Sequence, residues 1–236
     1  MDGKYFAIIL IGFFLVSGCI SGNSSPQSGP QPSTTTLSTV QIGDYNGTRL
    51  TPAQDIPDNS IKGPQHVDLS TYRLKIGGLV KNPKSYTYGE VLAHQNYSKI
   101  VQLDCVEGWN ATILWEGIRV KDLLDEAGPL PGAQTVIFHA VDNYTSGFPI
   151  SYFADSNGTK NGIIMAFMMN NATLGEARGF PFQLVAESKW GYKWVKWIDE
   201  IDLSNDTNFR GYWENYGYSN DGSLNKSFLD RPSMPV

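Results

Sequence analysis

The stretch LDCVEGWNA, Leu103–Ala111, decides the fold, and it contains one of the chain's two cysteines. The residues that precede Cys105, SKIVQLD, are rich in apolar and β-branched side chains and predict a strand that ends near Cys105. The other cysteine is Cys19. If Cys19 is used elsewhere, Cys105 has no partner within the chain. An unpaired cysteine in an exported protein indicates an intermolecular bridge, a reactive thiol or a metal ligand, and the alternative is an inert cysteine buried as a small apolar residue.

The N-terminus has the layout of a secretory signal. A polar head with Lys4 precedes an apolar run from Tyr5 to Val16, which is too short for a typical membrane-spanning helix. The sequence VSGC at the end of this run resembles a lipobox, in which the cysteine is lipidated. We therefore predict that residues 1–19 are a signal peptide and that a lipid on Cys19 holds the exported protein at the outer face of the cell membrane. The alternatives are an uncleaved anchor and a cleaved signal without lipid.

Residues 20–59 are predicted to be a disordered linker. The stretch SGNSSPQSGPQPSTTTLST, Ser21–Thr39, is rich in Ser, Thr, Pro and Gly and offers almost no apolar surface to bury. Residues 60–236 are long enough for one domain with a sizeable core. Nine N-x-[ST] sequons predict a glycosylated, extracellular surface. The sequons begin at Asn23, Asn46, Asn96, Asn110, Asn143, Asn157, Asn171, Asn205 and Asn225.

Charge and motifs exclude several function classes. The net charge is −5 and the sequence has no basic cluster, which argues against a nucleic acid partner. The sequence contains no C-x-x-C-H haem site, no paired-cysteine metal pattern and no glycine-rich phosphate loop. The chemistry of the domain must therefore come from another pattern.

The periodicity predicts an α+β domain. Polar and apolar residues alternate over Tyr72–Val80, which predicts a strand before the turn signal KNPKS. TYGEVLAHQ predicts a short helix, and Trp115–Pro129 predicts a longer one, with an apolar face that includes Val120 and an end at Gly128. AQTVIFHAVDNY predicts one strand, and FPFQLVAESKWGYKWVKWIDEIDL predicts two strands around a bend at Gly191. Strands that alternate with short helices indicate the α+β class.

Four segments occur in an order that resembles the molybdopterin-binding domain of the sulfite oxidase family. They are LDCVEGWNATILWEGIRVKDLLDEAG, FHAVDNYTSGFPI, GFPFQLVAESKWGYKWVKWI and GYWENYGYSNDG. The resemblance covers roughly residues 72–222. It is similar to the branch of the periplasmic protein-methionine-sulfoxide reductase catalytic subunit and archaeal molybdopterin-dependent oxidoreductases. The resemblance implies an α+β fold with mixed sheets and short helices.

The resemblance implies a role for Cys105. In the family, the cysteine of this segment is the one protein ligand to molybdenum, and the dithiolene of the pterin supplies two further sulfurs. Soft sulfur donors suit such a metal, and a single protein sulfur leaves a coordination position open. The cofactor is then molybdenum–molybdopterin, with Cys105 as its metal ligand and catalytic residue.

Further positions match the family's segment for the terminal phosphate of the pterin. GYKWVK implies that Trp194, Val195 and Lys196 hold the pterin, because backbone N–H groups and a lysine suit a phosphate. For the aromatic residues of this segment, the alternative is a place in the core. The family commonly has an arginine where this chain has Gln183, and an amide cannot form the bidentate charged pair. Arg178 is a candidate to compensate.

Two more positions precede the loop that approaches the active site in the family. His139 is a candidate to contact the cofactor or donate a proton, and the alternative is a half-buried structural histidine. Ala140 falls where close relatives have a hydroxyl residue near the cofactor. Asp142 and Tyr144 follow on the loop. Glu107, beside the cysteine, is expected to orient its turn by accepting backbone N–H bonds.

These residues predict a molybdopterin-dependent oxidoreductase that catalyses oxygen-atom transfer. Sulfite-oxidising members surround the metal with arginines, and this sequence has no such cluster, so a neutral sulfoxide or N-oxide is favoured over sulfite. The substrate is then a small molecule or an oxidised methionine. Because the sequence has no haem motif, electrons are expected from a separate electron-transfer protein or membrane redox partner. Gln183 and Ala140 favour the alternative, a cofactor-free extracellular binding module that keeps the fold.

Overall fold

The computed structural model describes residues 39–154 and 161–230. The predicted signal peptide, Cys19 and residues 20–38 of the predicted linker lie outside the described residues. In chain order the elements are β1 Asp44–Tyr45, β2 Thr48–Arg49, β3 Leu74–Gly78, β4 Lys84–Tyr86, α1 Tyr88–Leu92, β5 Asn96–Asp104, β6 Asn110–Arg119, α2 Val120–Ala127, β7 Thr135–Ala140, β8 Thr145–Pro149, β9 Ile164–Met169, β10 Ala172–Thr173, β11 Gln183–Val185 and β12 Ile198–Ser204. Neither helix of the described residues has the length and hydrophobicity of a membrane-spanning segment.

Two five-stranded sheets contribute to one hydrophobic core. The first sheet has the order β10-β9-β6-β5, and β11 also pairs with β9. The second has the order β4-β3-β12-β7-β8, in which β3 and β12 are parallel and the other neighbours are antiparallel. Mixed sheets with two short helices in the described residues confirm the predicted α+β class.

The central strand of the first sheet is β9, whose sequence IMAFMM is buried at every position. A continuous apolar run is what a strand covered on both faces requires. It lies between Gly162 and Asn170, so a turn residue bounds it on each side. This strand fixes the position of β6, which in turn carries the hairpin that includes Cys105.

The helix predicted for Trp115–Pro129 is wrong in its first third. Trp115–Arg119 continue β6 and pair with β9, and the helix begins at Val120. Pairing on both sides outweighs the helical periodicity, because this segment buries its side chains in the sheet. The two strands approach so closely that a Cβ on Gly117 would lie 2.3 Å from the Met165 carbonyl oxygen. Only glycine therefore fits at this position of the bulge.

The folded part of the described chain extends N-terminal to residue 60. Residues 39–59, which the sequence assigned to the linker, include the β1–β2 hairpin and two buried apolar side chains, Leu50 and Ile56. The backbone N–H of Thr51 donates to the carbonyl of Thr112 at 2.8 Å, so this segment packs beside β6. The Ser/Thr/Pro-rich composition ends at Thr39, and the apolar residues beyond it explain the difference.

The strand predicted from AQTVIFHAVDNY is present as β7 and ends at Ala140, where a tight turn over residues 141–144 leads to β8. The N–H of Asn143 donates to the Ala140 carbonyl at 2.8 Å, and the N–H of Ala140 donates to the Tyr144 carbonyl at 3.0 Å. Asn143 has φ of 69°, a conformation that asparagine tolerates better than most residues. The two strands predicted around Gly191 are present as β11 and β12, and they lie in different sheets.

Candidate active site

Cys105 lies in the tight turn that joins β5 to β6. Its N–H donates to the Trp109 carbonyl at 2.9 Å, and the N–H of Gly108 donates to the Cys105 carbonyl at 3.0 Å. Gly108 has φ of 91°, which glycine adopts without steric cost. The turn holds a free, half-buried thiol at the end of a rigid hairpin. A rigid hairpin is the kind of support that a metal ligand requires.

This thiol borders a cavity of about 200 Å³. The cavity lies where the Cys105 turn, residues 56–61, β11 and the segment 191–197 meet, and residues 213 and 218 complete its wall. Its lining residues are Ile56, Pro57, Asn59, Ser60, Ile61, Leu103, Cys105, Val106, Glu107, Trp109, Ile113, Trp115, Asp142, Tyr144, Met169, Arg178, Gln183, Gly191, Tyr192, Trp194, Lys196, Trp197, Trp213 and Tyr218.

The structure brings five of the sequence-predicted site residues to this cavity. They are Cys105, Arg178, Gln183, Trp194 and Lys196. Arg178 ends a 3-10 helical turn, and Gln183 is the first residue of β11. Trp194 and Lys196 follow the 3-10 turn Gly191–Lys193. A single thiol and two cations separated by long stretches of sequence therefore meet in one place.

The two cations of the cavity lining are partly desolvated. Burial lowers the pKa of the Lys196 ammonium, while its hydrogen bond to Asp58 and the charge of that carboxylate oppose the effect. The ammonium lies 2.6 Å from Asp58 Oδ1 and 4.5 Å from the ring centroid of Trp197. Burial also lowers the pKa of the Arg178 guanidinium, which Asp58 again opposes. Partly buried cations next to a cavity are suited to bind an anion.

A carboxylate and an amide surround the thiol. Asn59 Nδ2 donates to Glu107 Oε2 at 2.8 Å and lies 3.7 Å from Cys105 Sγ, and the indole N–H of Trp109 donates to the same Glu107 oxygen at 3.2 Å. Glu107 therefore holds the turn through side-chain donors, where the sequence predicted backbone N–H donors. Burial raises the pKa of the Cys105 thiol, and the Glu107 charge adds to this effect. A metal ion at the sulfur would remove this proton.

Aromatic side chains form much of the cavity wall. They are Trp109, Trp115, Tyr144, Tyr192, Trp194, Trp197, Trp213 and Tyr218. The rings of Trp115 and Trp194 pack with centroids 5.8 Å apart, and the indole N–H of Trp194 donates to the Lys189 carbonyl at 2.9 Å. These flat apolar walls exclude water and suit a planar ring system.

Three predicted residues lie outside the cavity lining. His139 is on β7, half-buried, with Nε2 at 3.5 Å from Asp202 Oδ2. Ala140 is buried and closes the turn that carries Asp142 and Tyr144 to the cavity. Val195 is fully buried, and its carbonyl accepts the N–H of Leu184. In the structure, these three residues contact other residues of the domain and do not border the cavity.

Sequence reasoning missed residues 56–61, which form one side of the cavity. Asn59 Nδ2 lies 3.7 Å from Cys105 Sγ, and Asp58 pairs with Lys196. Residues 56–59 of this segment fall within the predicted linker, residues 20–59, whereas residues 60 and 61 begin the predicted domain. The Ser/Thr/Pro-rich stretch Ser21–Thr39 has almost no apolar residues, so Ile56 and Ile61 are the signal that separates residues 56–61 from it.

The donor set of the cavity fits a molybdenum–molybdopterin group. Cys105 offers one soft sulfur for the metal, Arg178 and Lys196 offer charge for a phosphate, and the aromatic wall offers faces for a pterin. A mixed-sheet α+β domain with this site defines a class, the cofactor-binding oxidoreductases.

Comparisons with known proteins agree with this class. The model of the oxidoreductase molybdopterin binding domain matches residues 61–213. The chain therefore belongs to this family, the molybdopterin-dependent oxidoreductases of the sulfite oxidase type, as the sequence predicted.

Relatives are distant in sequence. The uncharacterised oxidoreductase YuiH of Bacillus subtilis is 29% identical over 156 residues, which cover 66% of this chain and 76% of the relative. The putative protein-methionine-sulfoxide reductase subunit YedZ1 of Azospira oryzae is 27% identical over 224 residues, 90% of this chain and 83% of the relative. The protein-methionine-sulfoxide reductase catalytic subunit MsrP of Xanthomonas axonopodis pv. citri is 24% identical over 209 residues, 79% of this chain and 64% of the relative.

One solved structure shows the same fold. The sulfane dehydrogenase SoxCD from Paracoccus pantotrophus matches with a TM-score of 0.56 at 22% identity, over 61% of this chain and 41% of that chain. The chain spans less than half of the length of that structure. The match supports the architecture described above.

Proposed function

We propose that this chain reduces a neutral sulfoxide, with Cys105 as the protein ligand to molybdenum. The observation that carries the proposal is the meeting of a free thiol with Arg178 and Lys196 in one aromatic-walled cavity. In the reaction, a sulfoxide takes up two electrons and two protons, loses its oxygen as water and becomes a thioether. When bound, the cofactor supplies the two-electron redox change that oxygen-atom transfer requires.

The residues of this chain bind and orient the cofactor. Cys105 Sγ holds the metal, and Lys196, Arg178 and Gln183 hold the terminal phosphate of the pterin through charge and hydrogen bonds. The described residues contain no group of three or more His, Cys, Asp or Glu side chains that could hold a metal ion. The other sulfur ligands in the proposal come from the pterin.

Charge favours a neutral substrate over sulfite. Among the described lining residues, Arg178 and Lys196 are the cations, and the proposal uses both for the phosphate. The lining also includes the acidic residues Glu107 and Asp142. A dianion would meet no further positive charge in this lining, whereas a sulfoxide needs none. Two relatives are named as methionine-sulfoxide reductase proteins, which supports an oxidised methionine or a small sulfoxide as substrate.

The test of the proposal is elemental analysis and activity on the same sample. The protein is produced in a host that makes molybdopterin, and molybdenum per chain is measured together with reduction of a methyl sulfoxide by a reduced dye. We expect about one metal per chain and sulfoxide-dependent oxidation of the dye. A folded product with far less than one metal per chain would contradict the proposal and favour a cofactor-free binding module.

Lys196→Ala is expected to lower pterin content by about tenfold under limiting cofactor, because it removes one charge-assisted hydrogen bond to the phosphate. Gln183→Arg is expected to preserve or raise the content, because it adds the charged pair that an amide cannot form. Fluorescence of the released pterin measures both. Lys62→Ala, at an exposed lysine beside the cavity segment, is the control. Unchanged pterin in folded Lys196→Ala would remove this lysine from the proposed site.

We also propose that the protein is anchored by a lipid on Cys19 and receives electrons from a separate redox partner at the membrane. The sequence VSGC at the end of the apolar run supports the anchor. We expect the wild-type protein to partition with membranes and Cys19→Ser to be released or to accumulate as precursor. Fractionation with mass spectrometry of the N-terminus measures this. Normal processing and membrane retention of Cys19→Ser would contradict the lipid anchor.

A further inference from the structure

Residues 56–61 form a strap that contacts the residues assigned above to the cofactor. Asp58 Oδ1 lies 2.6 Å from Lys196 Nζ. The Pro57 carbonyl accepts a hydrogen bond from Arg178 Nη1 at 3.3 Å, and Asn59 Nδ2 lies 3.7 Å from Cys105 Sγ. The strap thus contacts both cations and the thiol of the proposed site: a carboxylate contacts the lysine, a backbone carbonyl contacts the arginine, and an amide lies beside the thiol.

The carboxylate of Asp58 is held in position by hydrogen bonds within the strap itself. The backbone N–H of Ser60 donates to Asp58 Oδ1 at 3.3 Å, and the Ser60 hydroxyl donates to Oδ2 at 2.9 Å. The side chains of Asp58 and Lys196 are 24% and 18% exposed, so the pair is shielded from water on most sides. A shielded ammonium requires a counter-charge, and Asp58 supplies it.

A phosphate and this carboxylate require the same cations. Lys196 already donates to Asp58 and contacts the Ala177 carbonyl at 3.3 Å, and the charge of Asp58 also reaches Arg178. Two anions at one ammonium repel each other at close range. We propose that the strap is a gate for cofactor loading, in which Asp58 occupies the cation site of the cofactor-free protein and is displaced by the phosphate. The inference rests on the proposed function.

The test measures phosphate binding to cofactor-free protein. The full chain is produced in a host that cannot make molybdopterin and is titrated with inorganic phosphate, with wild type, Asp58→Asn and Asp55→Asn compared by calorimetry. Asp58→Asn keeps the size of the side chain and removes its charge, and Asp55 is an exposed carboxylate three residues earlier. We expect Asp58→Asn to bind phosphate about two- to fivefold more tightly than wild type, and Asp55→Asn to bind like wild type.

Ser60→Ala provides an independent test in case Asp58→Asn does not fold. Ser60→Ala keeps the carboxylate but removes the hydroxyl that holds it, so an intermediate gain in phosphate affinity is expected. Unchanged or weaker phosphate binding in folded Asp58→Asn, or in Ser60→Ala where Asp58→Asn does not fold, would overturn the gate. Pterin content measured in a competent host under limiting cofactor is expected to be equal or higher in Asp58→Asn, and a fall would show that Asp58 supports the loaded form and would overturn it too.

Failure of the gate and failure of the proposed function give different results. If no variant and no wild-type sample takes up molybdenum in a competent host, the proposed function fails, and the phosphate titration still decides whether Asp58 competes with an anion. If molybdenum is taken up normally and phosphate affinity is equal in wild type and Asp58→Asn, the gate fails and the proposed function stands.

Discussion

Glu214→Ala is expected to lower the free energy of unfolding by about 3–5 kcal/mol, because it leaves a fully buried ammonium without its counter-charge. Lys193 and Glu214 are both 0% exposed, with Nζ at 2.6 Å from Oε1. The ammonium also donates to the Gly147 carbonyl at 2.8 Å, and the Ser146 hydroxyl donates to the same carboxylate oxygen at 2.9 Å. Urea unfolding followed by fluorescence measures the change.

The effect of pH on this variant has a definite sign. Burial lowers the pKa of the Lys193 ammonium, and the charge and hydrogen bond of Glu214 oppose that effect. Without Glu214, the folded protein binds this proton less well than the unfolded chain does, so the free energy of unfolding rises with pH up to the usual lysine range. We therefore expect a larger deficit at about pH 6 than at about pH 9.

An exposed ion pair provides the matched control for the buried one. Lys121 and Asp125 pair one turn apart on the surface of α2, and Asp125→Ala is expected to cost less than about 1 kcal/mol. The double variant Lys193→Met, Glu214→Leu removes both charges and is expected to cost less than Glu214→Ala alone. If Glu214→Ala costs no more than Asp125→Ala, the buried pair does not stabilise the domain as argued.

This ion pair matters for the cavity because of where it lies. Lys193 belongs to the 3-10 turn that begins at Gly191, and a Cβ on that glycine would lie 3.3 Å from the Asp104 carbonyl oxygen. Glu214 follows Trp213, which lines the cavity. The pair therefore fixes the turn that precedes Lys196 against the segment that carries Trp213. Loss of the pair is expected to loosen both sides of the cavity.

The parts of the fold that could be predicted are those set by local pattern. The strand that ends at Asp104 and the apolar face of α2 both follow from periodicity within their own segments. The misassigned residues Trp115–Arg119 have a helical pattern, but their conformation is decided by β9, which is distant in sequence. Single-segment patterns contain no information on such a partner.

The site shows the same division between local and distant information. Trp194 and Lys196 line the cavity, whereas Val195 between them is fully buried in the core, where its carbonyl accepts the N–H of Leu184. The motif resemblance predicted that all three residues hold the pterin, and only the structure distinguishes the two that line the cavity from the one that does not. The contact of Asn59 with Cys105 spans 46 residues, and no spacing rule connects a linker-like segment to a strand end.

Cys105→Ser is expected to reduce sulfoxide reduction per folded molecule by about a hundredfold or more while it leaves the fold intact. Changes to residues that merely support metal ligands already cost about 10–100-fold, and this change removes the proposed ligand itself. A hydroxyl is a harder donor than a thiolate and cannot reproduce the metal–sulfur bond that tunes the redox potential. The thiol is half-buried beside the Asn59 amide, so we expect serine to change stability by only about 1 kcal/mol.

Activity, molybdenum content, bound pterin and urea unfolding are measured on the same samples, because each separates a different role of Cys105. Gln102→Ala, at an exposed position of β5 outside the cavity lining, is the control and is expected to behave like wild type. Pterin held by its phosphate is expected to persist in Cys105→Ser, because those contacts involve Arg178 and Lys196 and do not require the sulfur. If Cys105 were an inert small apolar residue, serine would lower stability by about 1–3 kcal/mol and leave activity per folded molecule unchanged. Full activity in a destabilised Cys105→Ser protein would therefore reject the molybdenum ligand.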